Sequence, residues 1–343
     1  MKAVLTGATT VAACLALAAC GSTADTSGGS SSGAPKDPKD MTMVTVVKIS
    51  GVGWFDRMEE GVKEYASKTG ADARQEGADD ASPEKQVQII ENLLPQRPTA
   101  ITMVPNSPES LENVAKQARS QGIVVVSHEA AGMQNVDADI EAFDNKAYGA
   151  EMMDNLGKCM GGQGQYVAMV GHLTAKTHMD WVAGALAEAK TKFPKVKRVE
   201  GPIESKEDEN VAYQNAKAIL KKYPNIKGFE GSAGTDVAGI ARAVQEAGLQ
   251  DKTCVMGTSI PSVAKKYLSD GSIDKIFFWD PALAGEAQLS AATLIAEGKK
   301  IQAGTDLKVK GYDSLKPIAG TTNAFSGDAS VVVDKNNVDQ YKF

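Results

Sequence analysis

The chain has 343 residues, with 37 Lys and Arg against 43 Asp and Glu, which gives a formal net charge of −6. Its length suggests two domains, and its content of 42% hydrophobic and 23% charged residues excludes wholesale disorder. The acidic balance argues against a nucleic-acid partner, because nucleic-acid-binding proteins normally present a basic surface.

The first 41 residues are predicted to lie outside the fold. Residues 1–19 are typical of a signal peptide, with one positive charge at Lys2 and an apolar stretch too short to span a bilayer. The sequence LAACG at residues 17–21 resembles the bacterial lipobox, so we expect cleavage before Cys20 and lipidation of its sulfur. An ordinary secretory signal with an incidental Cys20 is the alternative. Residues 20–41 are then a lipidated cysteine and a flexible, Gly- and Ser-rich tether.

Apolar, β-rich runs alternate with helical patterns along the rest of the chain. The predicted strands cover residues 45–49, 100–104, 123–126, 166–170, 254–256 and 276–279. Helices are predicted after the N-cap and proline pairs Ser82-Pro83 and Ser107-Pro108, and before the stops Gly70 and Gly248. Continuous apolar strands separated by helices indicate parallel sheets covered on both faces. The predicted fold class is therefore α/β, with two doubly wound parallel-sheet lobes.

The four cysteines reduce to one possible pair. Cys14 leaves with the signal and Cys20 is taken by lipid, so Cys159 and Cys254 remain. In an oxidising compartment these two either form a disulfide or stay as buried free thiols, and the sequence leaves both alternatives open.

The common catalytic and metal-binding motifs are missing from the sequence. There is no phosphate-binding loop, no H-E-x-x-H and no G-x-S-x-G. His172 and His178 are spaced unlike a usual metal pair, and Asp137–Glu141 lacks the glycine of a calcium loop, so we interpret the latter as a solvated loop. We predict no enzyme activity, no cofactor and no metal.

Polar and aromatic residues collect where the predicted strands end. In open α/β sheets this edge is where ligands bind. The predicted ligand-binding residues are Lys48, Trp54, Phe55, Asn106, His128, Glu129, Thr177, His178, Trp181, Ser232, Asp236, Trp279 and Asp280.

The chemistry of these residues suits a small polyhydroxylated ligand. Carboxylates, amides and imidazoles form directed hydrogen bonds with hydroxyl groups, and aromatic faces pack against the apolar face of a sugar ring. We expect Lys48, Glu129, Asp236 and Asp280 to bind hydroxyls, His128 and His178 to add donors, and the tryptophans to stack.

Several segments resemble a known family. They are KISGVGWF at residues 48–55, VGHLT at 170–174 with Trp181, FWDP at 278–281 and the tail VDKNNVDQYKF at 333–343. From about residue 44 to the end, the chain resembles the solute-binding proteins of sugar ABC importers, of the type I periplasmic-binding-protein fold. Within that family it is similar to the branch with the autoinducer-2 (AI-2) receptor and the rhamnose-binding proteins.

The resemblance implies two lobes joined by three crossovers, near residues 142–145, 280–284 and 309–312. The N-terminal lobe is then expected at residues 42–143 and 281–310, and the C-terminal lobe at residues 144–280 and 311–343. The ligand is expected to lie between lobes that close like a hinge. The resemblance also implies ABC permease subunits as partners of a monomer on the outer face of the cell membrane, anchored through Cys20.

Ligand identity stays open. In this resemblance Lys48 matches a lysine of the AI-2 receptor and Glu129 stands where that receptor has an aspartate, whereas Thr177 and His178 replace its Asp-Gln pair. We therefore expect a sugar, a deoxysugar or a polyol delivered to an importer. The alternatives are an AI-2 or sugar receptor that serves a signalling partner and, more remotely, an exported lipoprotein hydrolase. A DNA-binding regulator of the same fold is excluded, because the first 41 residues hold a signal and a tether instead of a helix-turn-helix.

Overall fold

The structure is a computed structural model that describes residues 37–343. The predicted signal peptide, Cys20 and the tether up to residue 36 lie outside the described residues. Residues 38–41, which the sequence assigns to the tether, are ordered instead, since Pro38–Asp40 forms a 3₁₀ helix and Met41 is buried. Within residues 37–343, no helix is both long and apolar enough to cross a membrane.

Strands and helices alternate along the described chain. The strands are β1 (Thr42–Val47), β2 (Asp72–Gly77), β3 (Ala100–Met103), β4 (Val124–Ser127), β5 (Ala138–Glu141), β6 (Gln163–Val170), β7 (Lys195–Arg198), β8 (Ile203–Glu204), β9 (Ile226–Gly231), β10 (Cys254–Thr258), β11 (Lys275–Phe278), β12 (Lys316–Pro317), β13 (Ala324–Ser326) and β14 (Val331–Val333). The helices are α1 (Gly53–Thr69), α2 (Pro83–Leu93), α3 (Pro108–Ser120), α4 (Asn145–Cys159), α5 (Lys176–Lys192), α6 (Glu209–Lys222), α7 (Asp236–Glu246), α8 (Pro261–Asp270) and α9 (Pro281–Ala296).

The strands form two sheets, one in each lobe. Lobe 1 has the order β12-β13-β5-β4-β3-β1-β2, and lobe 2 has the order β14-β11-β10-β9-β6-β7 with β8 also paired to β6. Adjacent strands are parallel except for the pairs β12/β13 and β11/β14. Helices α1 and α9 pack together in lobe 1, whereas α4 packs on α5 and α6 on α7 in lobe 2. The predicted α/β class with two doubly wound lobes is confirmed.

The helix ends follow the predicted capping signals. Ser82 Oγ accepts a hydrogen bond from the Lys85 N–H at 3.2 Å at the start of α2, and Ser107 Oγ does the same for Ser110 at the start of α3. Gly70 ends α1 with a φ of 79°, a left-handed conformation that glycine adopts without a steric cost.

Three crossovers connect the lobes, and one of them differs from the prediction. Residues 142–144 and 279–280 connect the lobes near the predicted positions. The third crossover lies at residues 327–330 instead of 309–312, because β13 pairs in parallel with β5 and keeps residues 324–326 in lobe 1. The predicted boundary at residue 311 therefore moves to about residue 327. Backbone hydrogen bonds from Gly327 to Glu141 and from Ala329 to Ala142 hold the third crossover beside the first.

The prediction of a solvated loop at residues 137–141 is wrong, because residues 138–141 form the buried strand β5. Asp139 is 0% exposed and accepts a hydrogen bond from Ser127 Oγ at 2.7 Å, while Glu141 accepts one from the Ala131 N–H at 3.1 Å. Burial raises the pKa of Asp139 to about 7 and that of Glu141 well above its usual value. These hydrogen bonds, from β4 and the loop that follows it, make the burial of the two acids possible.

Cys159 and Cys254 are joined by a disulfide, with their Cα atoms 6.2 Å apart. The bond ties the end of α4 to the amino end of β10, on the side of lobe 2 away from the carboxyl ends of its strands. Asp274 lies beside the two sulfurs, but sulfurs bonded to each other are not thiolate ligands, so this group does not form a metal site.

Candidate functional site

A small cavity of about 20 Å³ lies between the lobes, at the carboxyl ends of the strands in both sheets. This is the edge at which ligands bind in open α/β sheets. Its lining residues are Lys48, Val52, Trp54, Phe55, Glu129, His178, Trp181, Glu207, Ser232, Gly234, Thr235, Thr258 and Trp279. Eight of the predicted ligand-binding residues are among them, namely Lys48, Trp54, Phe55, Glu129, His178, Trp181, Ser232 and Trp279.

Three charged side chains meet in the cavity, one cation between two carboxylates. Lys48 Nζ forms an ion pair with Glu129 Oε2 and lies 4.0 Å from Glu207 Oε1 on the opposite lobe. Burial alone lowers the pKa of Lys48, but the negative charges of Glu129 and Glu207 outweigh it, so the pKa is raised above its usual value. For Glu207, burial raises the pKa and the positive charge of Lys48 opposes the rise. Lys48 is therefore a charged donor in a low-dielectric site.

His178 adds a neutral imidazole to the wall of lobe 2. Its Nδ1 accepts a hydrogen bond from the Gly171 N–H at 3.2 Å, and the residue is 3% exposed. Burial, followed by repulsion from Lys48 and His172, holds the pKa of His178 well below its usual value. Because Nδ1 is the acceptor, the ring proton resides on Nε2, and His178 is a hydrogen-bond donor at neutral pH.

The three tryptophans of the chain and Phe55 form the aromatic part of the wall. The ring centroids of Trp54 and Trp279 are 4.7 Å apart with an interplanar angle of 71°, and those of Trp181 and Trp279 are 5.8 Å apart. Trp181 Nε1 donates to Asn145 Oδ1 at 2.8 Å, which satisfies the indole N–H outside the cavity. The hydrogen bond fixes the orientation of the Trp181 ring, and all three rings line the cavity.

Five predicted residues do not line the cavity, and the contacts of two of them give the reason. Asn106 Nδ2 donates to the Lys48 carbonyl at 2.9 Å. His128 donates from Nδ1 to the Ile140 carbonyl at 2.5 Å, while its Nε2 accepts from Trp279 Nε1 at 3.1 Å. These two side chains position lining residues. Thr177, one residue before His178, is 2% exposed and does not line the cavity either.

Asp236 and Asp280, predicted to bind ligand hydroxyls, serve the backbone instead. Asp236 Oδ2 accepts from the N–H groups of Ser232 at 3.1 Å and Ala233 at 2.8 Å, and burial raises its pKa to about 7. Asp280 caps α9 through the Ala282 N–H and accepts two hydrogen bonds from Arg57, at 2.9 and 2.7 Å. Neither residue is among those that line the cavity, although Asp236 Oδ1 is buried and has no hydrogen-bond partner among the described residues. Their predicted role in binding hydroxyls stays a prediction.

Five lining residues were not among those predicted: Val52, Glu207, Gly234, Thr235 and Thr258. Thr258 ends β10, so applying the strand-end rule to the true end of that strand identifies it. Glu207 follows β8, a strand of two residues that leaves no readable periodicity in the sequence. The sequence carries no signal for Glu207, because a turn places this residue in the cavity and not a periodic pattern of apolar residues.

The chain is similar to several known proteins. The periplasmic binding protein domain family matches residues 43–300. The D-allose-binding periplasmic protein of Escherichia coli is 26% identical over 255 residues, which cover 72% of this chain and 81% of that protein. LsrB from Clostridium saccharobutylicum, solved in complex with AI-2, superposes with a TM-score of 0.80 at 20% identity, covering 88% of this chain and 100% of that chain. An ABC transporter solute-binding protein from Clostridium phytofermentas with bound L-rhamnose gives a TM-score of 0.81 at 21% identity, covering 88% and 98%.

The structural neighbours share the two-lobed α/β fold, which confirms the predicted type I periplasmic-binding-protein architecture. The family match extends over most of the described residues and over both lobes. The cavity between the lobes stands where a ligand-binding protein of this architecture encloses its ligand. The chain therefore belongs to the periplasmic binding protein family, whose members are binding proteins and not enzymes.

Proposed function

We propose that the protein is the extracytoplasmic solute-binding component of an ABC importer and that it captures a small sugar, deoxysugar or polyol between its lobes. The observation that carries this proposal is the composition of the cavity. Three tryptophan rings and the side chains of Lys48, Glu129, Glu207 and His178 all line the cavity between the lobes. Aromatic carbon surfaces complement the C–H face of a sugar ring, and the polar groups complement its hydroxyls.

The cavity is small in this structure. Its volume of about 20 Å³ holds about one water molecule, whereas ligand pockets usually have volumes of about 300–1,000 Å³. We therefore expect the lobes to move apart to admit a monosaccharide-sized ligand. The similar proteins that bind D-allose and L-rhamnose support a ligand of that class.

The lobes supply the proposed mechanism of capture. Lys48 and Trp54 belong to lobe 1, and His178 and Trp181 belong to lobe 2, so a ligand in the cavity contacts both. The contacts to the second lobe form only on closure, and the ligand therefore stabilises the closed form. The closed form is the species that we expect an ABC permease to recognise. In this proposal a monomer is held at the outer face of the membrane through lipid on Cys20.

The first experiment is mass spectrometry of any ligand released from freshly purified protein. A thermal-shift panel follows, with L-rhamnose, D-arabinose, D-xylose, D-allose, a polyol and AI-2. AI-2 is included because Lys48 and Glu129, which match the lysine and aspartate of the AI-2 receptor, both line the cavity. We expect one class of monosaccharide or polyol to raise the melting temperature in proportion to the logarithm of its excess.

A pair of variants separates ligand binding from stability. Trp54→Ala removes a ring from the cavity, whereas Tyr65→Ala removes a ring on the same helix whose hydroxyl contacts Thr293 outside the cavity. Both variants should lower the melting temperature of the unliganded protein, and only Trp54→Ala should lose the increase that ligand produces. Binding of no member of the panel, or equal ligand shifts in both variants, contradicts the proposal.

A further inference from the structure

Glu207 enters the cavity from a strained turn between β8 and α6. Lys206 and Glu207 have φ values of 59° and 58°, a left-handed conformation that costs non-glycine residues free energy. Two hydrogen bonds tie the residues before Glu207 to the end of β6, from the Ser205 N–H to the Val170 carbonyl at 2.8 Å and from the Lys206 N–H to the Gly171 carbonyl at 2.9 Å. Asp208 then caps α6. The surrounding structure therefore enforces the position of Glu207.

The opposite carboxylate has the same backbone feature. Glu129, which follows β4 in lobe 1, has a φ of 58°. Both acids that face Lys48 thus stand on left-handed backbone, one from each lobe. Strain of this kind persists where the surrounding structure over-determines it, and it clusters at functional sites.

Gly171 provides the space for the Glu207 side chain. A Cβ at position 171 would lie 2.2 Å from Glu207 Oε1 and 2.7 Å from its carboxyl carbon. The φ of Gly171 is outside the left-handed region, so glycine is required here for space and not for conformation. The same glycine donates its N–H to His178 Nδ1. Gly171 thus leaves space for the Glu207 side chain and donates a hydrogen bond to the His178 side chain.

Glu207 has an unused acceptor inside the cavity. Its Oε1 is buried and, within residues 37–343, makes no hydrogen bond, while Lys48 Nζ is 4.0 Å away and therefore beyond hydrogen-bond distance. The residue as a whole is 8% exposed. A buried carboxylate oxygen without a donor is costly, so a ligand that supplies an O–H at this point gains the interaction that the protein lacks.

The charges in the cavity decide which ligands fit. Lys48 carries one positive charge against the carboxylates of Glu129 and Glu207. The other titratable groups that act on this trio are His128, His172, His178, Asp139, Glu141, Asp236, Tyr148 and Tyr312. Of these, only the three histidines are bases. Burial lowers the pKa of His172 and His178, and both ring nitrogens of His128 already have partners in the Ile140 carbonyl and Trp279 Nε1. The described cavity therefore has no free cation to receive an anionic ligand.

We infer that Glu207 and Glu129 form an acceptor pair, one from each lobe, that takes two hydroxyl donors of a neutral polyhydroxylated ligand and excludes sugar acids. This inference rests on the proposed function and adds the ligand class and a residue that determines it. Like-charge repulsion in a low-dielectric cavity rejects a carboxylate on the ligand. The unpaired acceptor rejects an analogue that lacks the corresponding hydroxyl.

The test uses the full chain, titrated with L-rhamnose, D-arabinose, D-xylose and D-allose as neutral probes, and with D-glucuronate and D-galacturonate as acidic ones. We expect wild type to bind at least one neutral probe and neither acid. Glu207→Gln keeps the size of the side chain and should weaken binding of the neutral probe by about tenfold or more, because it loses a hydrogen bond to a charged acceptor. Glu204→Gln, on β8 and outside the cavity, is the matched control and should bind as wild type does.

A pH series gives a readout that a purely structural role does not affect. A hydroxyl donor stabilises the ionised carboxylate, so the ligand lowers the pKa of Glu207, which burial raises in the empty cavity. Affinity should then fall as the pH falls through the raised pKa, and this component should be absent in Glu207→Gln. Gly171→Ala, which displaces Glu207 without changing it, should also weaken binding.

The outcomes separate the two claims. Equal affinity of wild type and Glu207→Gln for a neutral probe that binds overturns the inference and leaves the proposed function standing. Tighter binding of either acid also overturns it. Binding of no probe by wild type contradicts the proposed function and, with it, the inference.

Discussion

Replacing Asp280 with alanine should lower stability and leave ligand binding intact. The carboxylate caps α9 through the Ala282 N–H at 3.0 Å and accepts two hydrogen bonds from Arg57 of α1. It lies at the second crossover, and it does not line the cavity. Its contribution is therefore expected in the free energy of unfolding and not in the affinity for ligand.

The expected loss of unfolding free energy in Asp280→Ala follows from the helix cap and from the ion pair with Arg57. Loss of an N-cap costs about 1 kcal/mol. A hydrogen bond between charged groups is worth about 1.5–3 kcal/mol, but this pair has exposed side-chain fractions of 25% and 17%, and Arg57 keeps a second partner in Glu60. We therefore expect a total loss of about 2–3 kcal/mol. Asp280→Asn retains the cap and should lose about 1–2 kcal/mol, since asparagine caps as well as aspartate does.

Urea unfolding followed by tryptophan fluorescence measures both losses, and a thermal-shift series with the ligand identified from the panel measures binding. The ligand-induced increase in melting temperature should be the same in wild type, Asp280→Asn and Asp280→Ala. If Asp280→Ala keeps the stability of the unliganded protein and loses the ligand-induced increase, Asp280 contacts the ligand and the reasoning from its hydrogen bonds is refuted.

Three further predictions concern packing, the disulfide and pH. Gly149→Ala places a Cβ 1.9 Å from the Trp181 carbonyl and should destabilise the α4/α5 contact by about 1–3 kcal/mol, whereas Gly201→Ala, which meets no atom within 4 Å, should be neutral in the same urea titration. Reduction of the Cys159–Cys254 bond, whose cysteines are 95 residues apart, should lower the unfolding free energy by about 2–4 kcal/mol, and a Cys159→Ser/Cys254→Ser variant should then be insensitive to reductant. Burial raises the pKa of Glu230 to about 8, and neither of its carboxylate oxygens has a hydrogen-bond partner among the described residues. Between the unfolded pKa of about 4.3 and about 8, the folded state therefore holds a proton that the unfolded state has lost, so stability falls as pH rises through this window. Glu230→Gln should gain stability over wild type from pH 5 to pH 8, and a constant difference across that range would contradict the raised pKa.

The fold class and the position of the site were predictable because both follow from local signals. Prolines after Ser82 and Ser107 mark helix starts, and Gly70 marks a helix end, independently of the rest of the chain. Parallel strands carry their polar residues to a common edge, so Lys48, His178 and Trp279 could be grouped without coordinates.

Other features depend on contacts between distant segments. Asp236 and Asp280 stand at strand ends like the lining residues, and only the structure shows that Asp236 Oδ2 accepts from backbone N–H groups and that Asp280 accepts from Arg57. Asp139 looks solvent-exposed in the sequence, yet Ser127 from the neighbouring strand allows its burial. The sequence around a polar residue at a strand end is the same whether its side chain faces a ligand or bonds to another residue of the protein.

The sequence by itself determined that this protein has two lobes of parallel strands with an aromatic and polar edge, because helix caps, apolar runs and strand ends are local properties of the chain. Only the tertiary structure decided that Glu207 faces Lys48 across the lobes and that the third crossover follows β13. Both features depend on short segments, namely a turn of left-handed residues and strands of two or three residues. Hydrogen bonds to neighbouring segments set the conformation of such short segments, because they are too short to have a periodic pattern of apolar residues.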